Sequence, residues 1–298
     1  MQISVVMPAF NEEIGISTGL RALTGSPDHG PDLQIVVAAN GCTDRTAEVA
    51  RSFGVQVVEI ATASKTAALN AADQLVTGDV RVYLDADVPA GAAVVRRLAE
   101  AVARPGVEAA VPRPAVDASE STWPVRAFYA INSRLPVFRG RLFGRGVIAV
   151  SSAARARFDR FPAITADDMF LDAVVAPDEK AELDVPVRVI APRTTGDLIR
   201  RVARARDGNA EFNRYLRANP EVVATPAEAN QTSWLRDVVL RRPWLVPAAV
   251  VYVAVVLLAE RKRRSASWDV RSGWGRTAEP VRVPAPRSPA DDIEKVTP

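Results

Sequence analysis

Two acidic groups, a lysine and a row of arginines are the residues of this chain able to do chemistry. Asp85-Ala86-Asp87 follows the apolar run Val80 to Leu84. A turn at that place can aim both carboxylates at one ligand instead of alternating them across a sheet. Hard oxygen donors of this kind suit Mg2+ or Mn2+ bound together with a diphosphate, although an Asp-rich turn after a strand is also common without any metal. Asp167-Asp168 stands before Met169-Phe170-Leu171 and reads as the opening of a helix, where the helix dipole favours acids with or without catalysis. Lys65 and Asn70 fall near the start of another helical stretch, as a site lysine or as a solvated one. Arg200, Arg201, Arg204 and Arg206 form either a solvated helix face or a set able to neutralise a diphosphate leaving group. Asn40-Gly41-Cys42-Thr43-Asp44 reads as a turn leading into a helix capped by Thr43 or Asp44, with backbone groups able to face a nucleotide.

Composition narrows the chemistry. The chain of 298 residues has one cysteine, Cys42, and one histidine, His29. That excludes an intramolecular disulfide framework, a His-rich zinc site and a Ser-His-Asp triad, so a catalytic base is expected among the carboxylates. Net charge is only +3, but arginines cluster around 200–206, 236–242 and 261–264. Such clusters suit phosphates or anionic lipid better than a duplex, and no nucleic-acid motif accompanies them. The chain passes from Met1 directly into Ile3-Ser4-Val5-Val6-Met7 without a basic leader and cleavage site, which places the expected catalytic part in the cytoplasm.

The elements that must position these residues are legible as an alternation. Apolar runs at Ile3 to Met7, Leu33 to Ala38, Val55 to Ile60 and Val80 to Leu84 have the length of buried strands. Helix-like stretches at Gly15 to Leu23, Asp44 to Phe53 and Lys65 to Leu75 separate them. Alternation of this kind predicts an α/β fold, a mostly parallel Rossmann-like sheet flanked by helices. Ligands of such sheets sit beyond the carboxyl ends of the strands, and three strand ends here would converge on one crevice: Pro8 to Glu12, Asn40 to Asp44, and Asp85 to Asp87. Residues 111–196 are mixed in pattern, contain the Gly/Arg-rich stretch Arg139 to Gly146, and read as the acceptor-facing half.

Taken together, Val5-Val6-Met7-Pro8-Ala9-Phe10-Asn11-Glu12-Glu13, the Asn-Gly-Cys-Thr-Asp turn, Lys65 through Asn70, Asp85-Ala86-Asp87 and Asp167-Asp168 resemble glycosyltransferase family 2 in order and spacing over roughly the first 210 residues. The resemblance implies a GT-A fold, a UDP- or GDP-type nucleotide-sugar donor, Mg2+ or Mn2+, and an inverting transfer to an acceptor hydroxyl. Carried over by position, Pro8, Phe10 and Glu12 would line the nucleoside pocket, with Asn40 and Asp44 beside base and ribose and Lys65 positioning the nucleotide. Asp85 would approach ribose or metal-bound water, Asp87 would hold the cation, and Asp168 would accept the acceptor proton. Asp167, a second carboxylate, stands where the family often has glutamate, and Arg201 and Arg204 would serve the donor diphosphate. Two departures stand out. Ala39-Asn40 replaces the paired aspartates of many relatives, and the Gln-x-x-Arg-Trp signature of processive synthases is absent, with Arg200 to Asn209 in its place. Addition of a single sugar is therefore expected. A sugar nucleotidyltransferase would need a Gly-rich, Arg-containing loop where Pro8 to Glu12 stands, whereas a noncatalytic nucleotide-sugar binder is the alternative that only activity decides.

Pro243 to Ala259 carries no charge and is flanked by Arg241-Arg242 and by Arg261 to Arg264. Its length is at the short end for a bilayer span, and basic residues on both sides give no orientation, so a span, an interfacial anchor and a buried helix all remain open. The reading adopted is association with the inner face of the cell membrane, near a lipid-linked or envelope acceptor. The expected organisation is a glycosyltransferase domain over 1–215, a connecting helical segment over 216–240, a hydrophobic membrane-associating helix over 241–264, and a disordered tail over 265–298.

Overall fold

A computed structural model of the chain describes residues 1–220, 222 and 234–265; most of the expected tail and most of the stretch between 220 and 234 lie outside the described residues. The amino-terminal half alternates strand and helix: β1 (Ile3–Ala9), α1 (Ile16–Thr24), β2 (Leu33–Asn40), α2 (Thr46–Arg51), β3 (Gln56–Ile60), α3 (Lys65–Asp73), β4 (Val80–Leu84) and α4 (Ala92–Val102). Then follow β5 (Ala109–Asp117), α5 (Trp123–Asn132), β6 (Val147–Ser151), α6 (Ser152–Arg155), α7 (Asp167–Val174), β7 (Lys180–Ile190), α8 (Thr195–Ala218) and α9 (Val246–Arg263).

The seven strands form one sheet in the order β3-β2-β1-β4-β6-β5-β7. All run the same way except β6, which is antiparallel to both β4 and β5. Successive residues of a strand serve opposite faces, and the core divides accordingly. Val5 and Met7 pack with α1 and α4 through Leu20, Val95 and Leu98, while Val6 and Tyr83 pack toward α3 and α7 through Leu69 and Phe170. Burial on both faces is why β1 and β2 read as unbroken apolar runs.

From β1 the chain winds outward through β2 to β3 and then returns to place β4 on the other side of β1. That reversal is the switch point at which open α/β sheets bind ligands, and it sets the end of β1 beside the end of β4. The helix α8 passes through residue 215 and ends at Ala218. The helix α9 lies along α5 and α8, joined to them through Val125, Phe128, Leu198 and Val255.

Candidate active site

Beyond the carboxyl ends of β1 and β2, two loops hold each other in place. The Asn11 side chain accepts from the Thr43 amide at 2.8 Å, and the Glu12 amide donates to the Thr46 hydroxyl at 2.8 Å. Asp44 accepts from the Thr46 amide at 3.0 Å and, through its other oxygen, from the Glu13 amide at 3.1 Å. Asn11 takes a positive φ of 51° to make the turn, a conformation asparagine tolerates better than most residues. Both Asp44 oxygens thus fasten the loops that would frame a nucleoside. Asn40 is fully buried and donates to the Ala9 carbonyl at 2.9 Å. Its Oδ1 is the single buried side-chain polar atom without a hydrogen-bond partner among the described residues. Asn40 therefore links β1 to β2 from the interior, while Pro8 is buried in β1 opposite Ala38 and Phe10 is half-buried at the strand end.

Lys65 joins the two acidic motifs. It is the first residue of α3, whose start is capped by the Ser64 side chain accepting from the Ala67 amide. Its ammonium lies 2.7 Å from Asp85 and 3.0 Å from Asp167. Burial alone would lower the lysine pKa, but the charges of Asp167, Asp85 and Asp168 outweigh it and the group is raised above its ordinary value. Asp167 is 6% exposed; burial lifts its pKa to about 6 against the opposing pull of Lys65. Burial and the charges of Asp87, Asp44 and Asp85 raise Glu12 to about 8. The mutual influence of these groups shows that the ends of β1, β2 and β4 converge.

Asp168 is half-buried beside Asp167 at the start of α7. One oxygen accepts from the Gly144 amide at 2.8 Å and the other from the Met169 amide at 2.8 Å. Gly144 belongs to the Gly/Arg-rich stretch that leads into β6. The same stretch is held one helical turn further along α7 by Asp172, which accepts from the Leu142 amide at 2.8 Å and pairs with Arg141 and Lys180 at 3.1 and 2.9 Å. Its last residue, Gly146, accepts from the Asp85 amide at 2.8 Å. Gly146 has φ +71°, and a Cβ there would stand 2.5 Å from Val88 Cγ2, so only glycine fits. Gly144, Gly146 and Asp172 escape a motif-by-motif reading. The signals that could have found them are the Gly140/Gly144/Gly146 spacing and the i, i+4 relation of Asp168 and Asp172.

Asp87 is exposed at its side chain, yet the protein packed around it and the Asp85 charge raise its pKa, against the lowering effect of Arg201 and Lys65. Arg204 is lowered by burial and by Arg201, and is in turn supported by Asp87 and Asp85. The front of α8 is thus turned toward Asp85-Ala86-Asp87, with Arg201 also donating to the Ile190 carbonyl. Asn70 points elsewhere, exchanging hydrogen bonds with the Phe161 backbone. Among the described residues no cluster of three or more His, Cys, Asp or Glu side chains is arranged to hold a metal. With Asp85 committed to Lys65, the protein offers Asp87 as the available carboxylate. A cation here would need phosphate oxygens to complete its shell, and hard divalent ions bind in that way.

A model of the family described as Glycosyl transferase family 2 matches residues 4–164. Among solved structures, the mannosyltransferase PcManGT from Pyrobaculum calidifontis, in complex with GDP-Man and Mn2+, is similar at a TM-score of 0.56 and 22% identity, over 92% of this chain and 83% of its own. Glucosyl-3-phosphoglycerate synthase from Mycobacterium tuberculosis is similar at a TM-score of 0.48 and 23% identity, over 63% of this chain and 72% of its own. The same synthase in complex with Mn2+, UDP and glucosyl-3-phosphoglycerate gives a TM-score of 0.48 and 20% identity, over 64% and 71%. No curated protein matches in sequence. The family match takes in the switch point, Asp85-Ala86-Asp87 and the Gly/Arg-rich stretch, more than half of the 298 residues. The chain belongs to glycosyl transferase family 2 and is a glycosyltransferase of GT-A fold.

Proposed function

We propose that this glycosyltransferase moves one sugar from a UDP- or GDP-type donor to an acceptor hydroxyl, with inversion and with Mg2+ or Mn2+ as cofactor. The observation that carries the reading is the gathering of Asp85, Asp87, Asp167, Asp168, Arg201 and Arg204 around Lys65 at the sheet's switch point. The mannosyltransferase similar in fold is in complex with GDP-Man and Mn2+, which fits the same chemistry.

In this reading the loops after β1 and β2 receive the nucleoside, and Asp87 would hold the cation, which would supply positive charge to the diphosphate. Asp168 takes the proton from the acceptor hydroxyl as its oxygen bonds to the anomeric carbon. The bond from that carbon to the diphosphate breaks in the same step, which inverts the centre. Charge then grows on the departing diphosphate, where Arg201, Arg204 and Lys65 stabilise it. The Gly144 and Met169 amides fix the Asp168 carboxylate and leave its remaining lone pairs for the proton.

Residues 1–215 would carry catalysis, 216–240 would connect, and 241–264 would hold the enzyme to the inner face of the cell membrane, near an envelope or lipid-linked acceptor. The support for this is the 21-residue stretch Pro243–Arg263, which contains an 18-residue window of mean hydropathy 1.9 with only 17% of it buried. A panel of nucleoside diphosphates and their sugar conjugates, with Mn2+, Mg2+ or chelator, tests the donor site by thermal shift. Metal-dependent stabilisation by one UDP or GDP ligand is expected, and no response to any ligand of the panel would overturn the donor assignment.

A further inference from the structure

The segment Pro243–Arg263 is long enough to cross a bilayer, at about 1.5 Å per residue. Its contacts say otherwise. One face is fastened to the catalytic domain along its whole length. Near its start, Ala249 is buried with Ile131 and Leu135 of the α5 region. In the middle, the Tyr252 ring stacks on Phe128 with centroids 5.1 Å apart, and Val255 is buried beside Leu198 of α8. At its end Arg263 pairs with Asp207 of α8 at 3.2 Å, and Glu260 lies 3.7 Å from Arg206. A span would have to peel α9 from both helices, leaving Phe128, Ile131 and Leu198 facing water.

The opposite face is apolar and open. Val246, Val250 and Leu257 are 52%, 67% and 64% exposed, and Trp244 just before them is 73% exposed. Positions 246, 250, 254, 257, 261 and 264 advance by three or four residues and share one side of the helix. The side runs apolar from Val246 to Leu257 and ends in the exposed Arg261 and Arg264, while exposed Arg241 precedes it. An apolar strip with basic ends suits a helix lying in the plane of an anionic lipid surface. A second copy of the chain would set these arginines against its own. We infer that α9 docks this enzyme in the plane of an anionic membrane by the Val246–Leu257 face, without crossing it. The inference deepens the proposed membrane association and does not depend on the donor site.

Depth measurement tests it. The full chain with Cys42→Ser and either Val250→Cys or Leu257→Cys is labelled with a fluorophore and mixed with phosphatidylglycerol-containing or pure phosphatidylcholine vesicles carrying bromine at set acyl depths. The expected result is quenching with phosphatidylglycerol, weakened by salt, and equal shallow depth at both positions. The two lie seven residues apart, so a spanning helix would give depths differing by about 10 Å, which would overturn docking in the plane while keeping membrane association. No quenching by either vesicle, or labels shielded in a dimer without lipid, would overturn both. Val250→Glu with Leu257→Glu should release the chain from vesicles by at least tenfold in affinity. Nucleotide-induced thermal shift of the unlabelled wild-type chain reports the donor site separately.

Discussion

Replacing Lys65 by methionine keeps most of the side-chain length and removes the charge that Asp167 and Asp85 share at 3.0 and 2.7 Å. Asp167 would be left buried without a cation, a loss of roughly 3–5 kcal/mol when one partner of a buried pair is removed. At about 2–4 °C per kcal/mol for a chain of this size class, the melting temperature at pH 8 should fall by about 6–20 °C. The sign of the pH dependence follows from Asp167. Its folded pKa, about 6, is already above the ordinary 3.8, and losing Lys65 raises it further. Below pH 6 the carboxyl is protonated in both proteins and the missing cation costs little. Above pH 6 the wild type ionises Asp167 beside the lysine, whereas the variant must keep it protonated or bury its charge uncompensated, so the gap should open between pH 6 and pH 8. Differential scanning calorimetry across that range reads it, and adding Asp167→Asn to Lys65→Met should restore most of the loss at pH 8. A gap of equal size at pH 5 and pH 8 would mean that packing, not charge, was lost, and the reasoning would be refuted.

Other outcomes follow from neighbouring residues. Asp87→Asn should weaken metal-dependent donor binding at least tenfold, whereas Asp168→Asn should leave donor binding within a few-fold and abolish transfer; equal loss of binding in both would exchange or dissolve their roles. Glu12, raised to about 8 from an ordinary 4.5, costs stability as pH rises through that window. Glu12→Gln should therefore gain stability relative to wild type from pH 4.5 to 8 and level off above, by about 2 kcal/mol after allowance for solvent, in urea titrations at several pH values. Gly146→Ala, with its Cβ 2.5 Å from Val88, should cost about 1–3 kcal/mol and lower kcat more than donor affinity, checked by denaturation and steady-state kinetics.

The amino-terminal half was legible because its strands are buried on both faces and punctuated by turns; β4 coincides with the run Val80 to Leu84 residue for residue. The carboxyl-terminal strands were not, since β5 holds Pro112 and Pro114 and β7 holds Pro186. Prolines argue against a strand, but β7 is an edge, and the register slips between Pro112 and Arg113 to accommodate them. The acidic motifs were readable as separate groups because each is local in sequence. Their bridge through Lys65, and the Gly144 amide on Asp168, join residues far apart in the chain that no spacing rule connects. Polarity also misleads at Asn40, which looks like a surface group at a strand end and is enclosed between β1 and β2.

The reversed strand β6 bears on which part of the loop before it can vary. Because β6 starts where β4 ends, with Val147 opposite Leu84, the stretch before it is delivered directly onto Asp85 and stitched there at Gly146. Variation in that stretch is therefore confined: 141–146 is tied to Asp172, Asp168 and Asp85, whereas residues near Pro136 and Arg139 lie upstream of those ties. An exchange confined to 134–140, upstream of the Arg141 and Leu142 ties to Asp172, should leave the recipient's donor binding intact, which makes that short segment the natural seam for recombination.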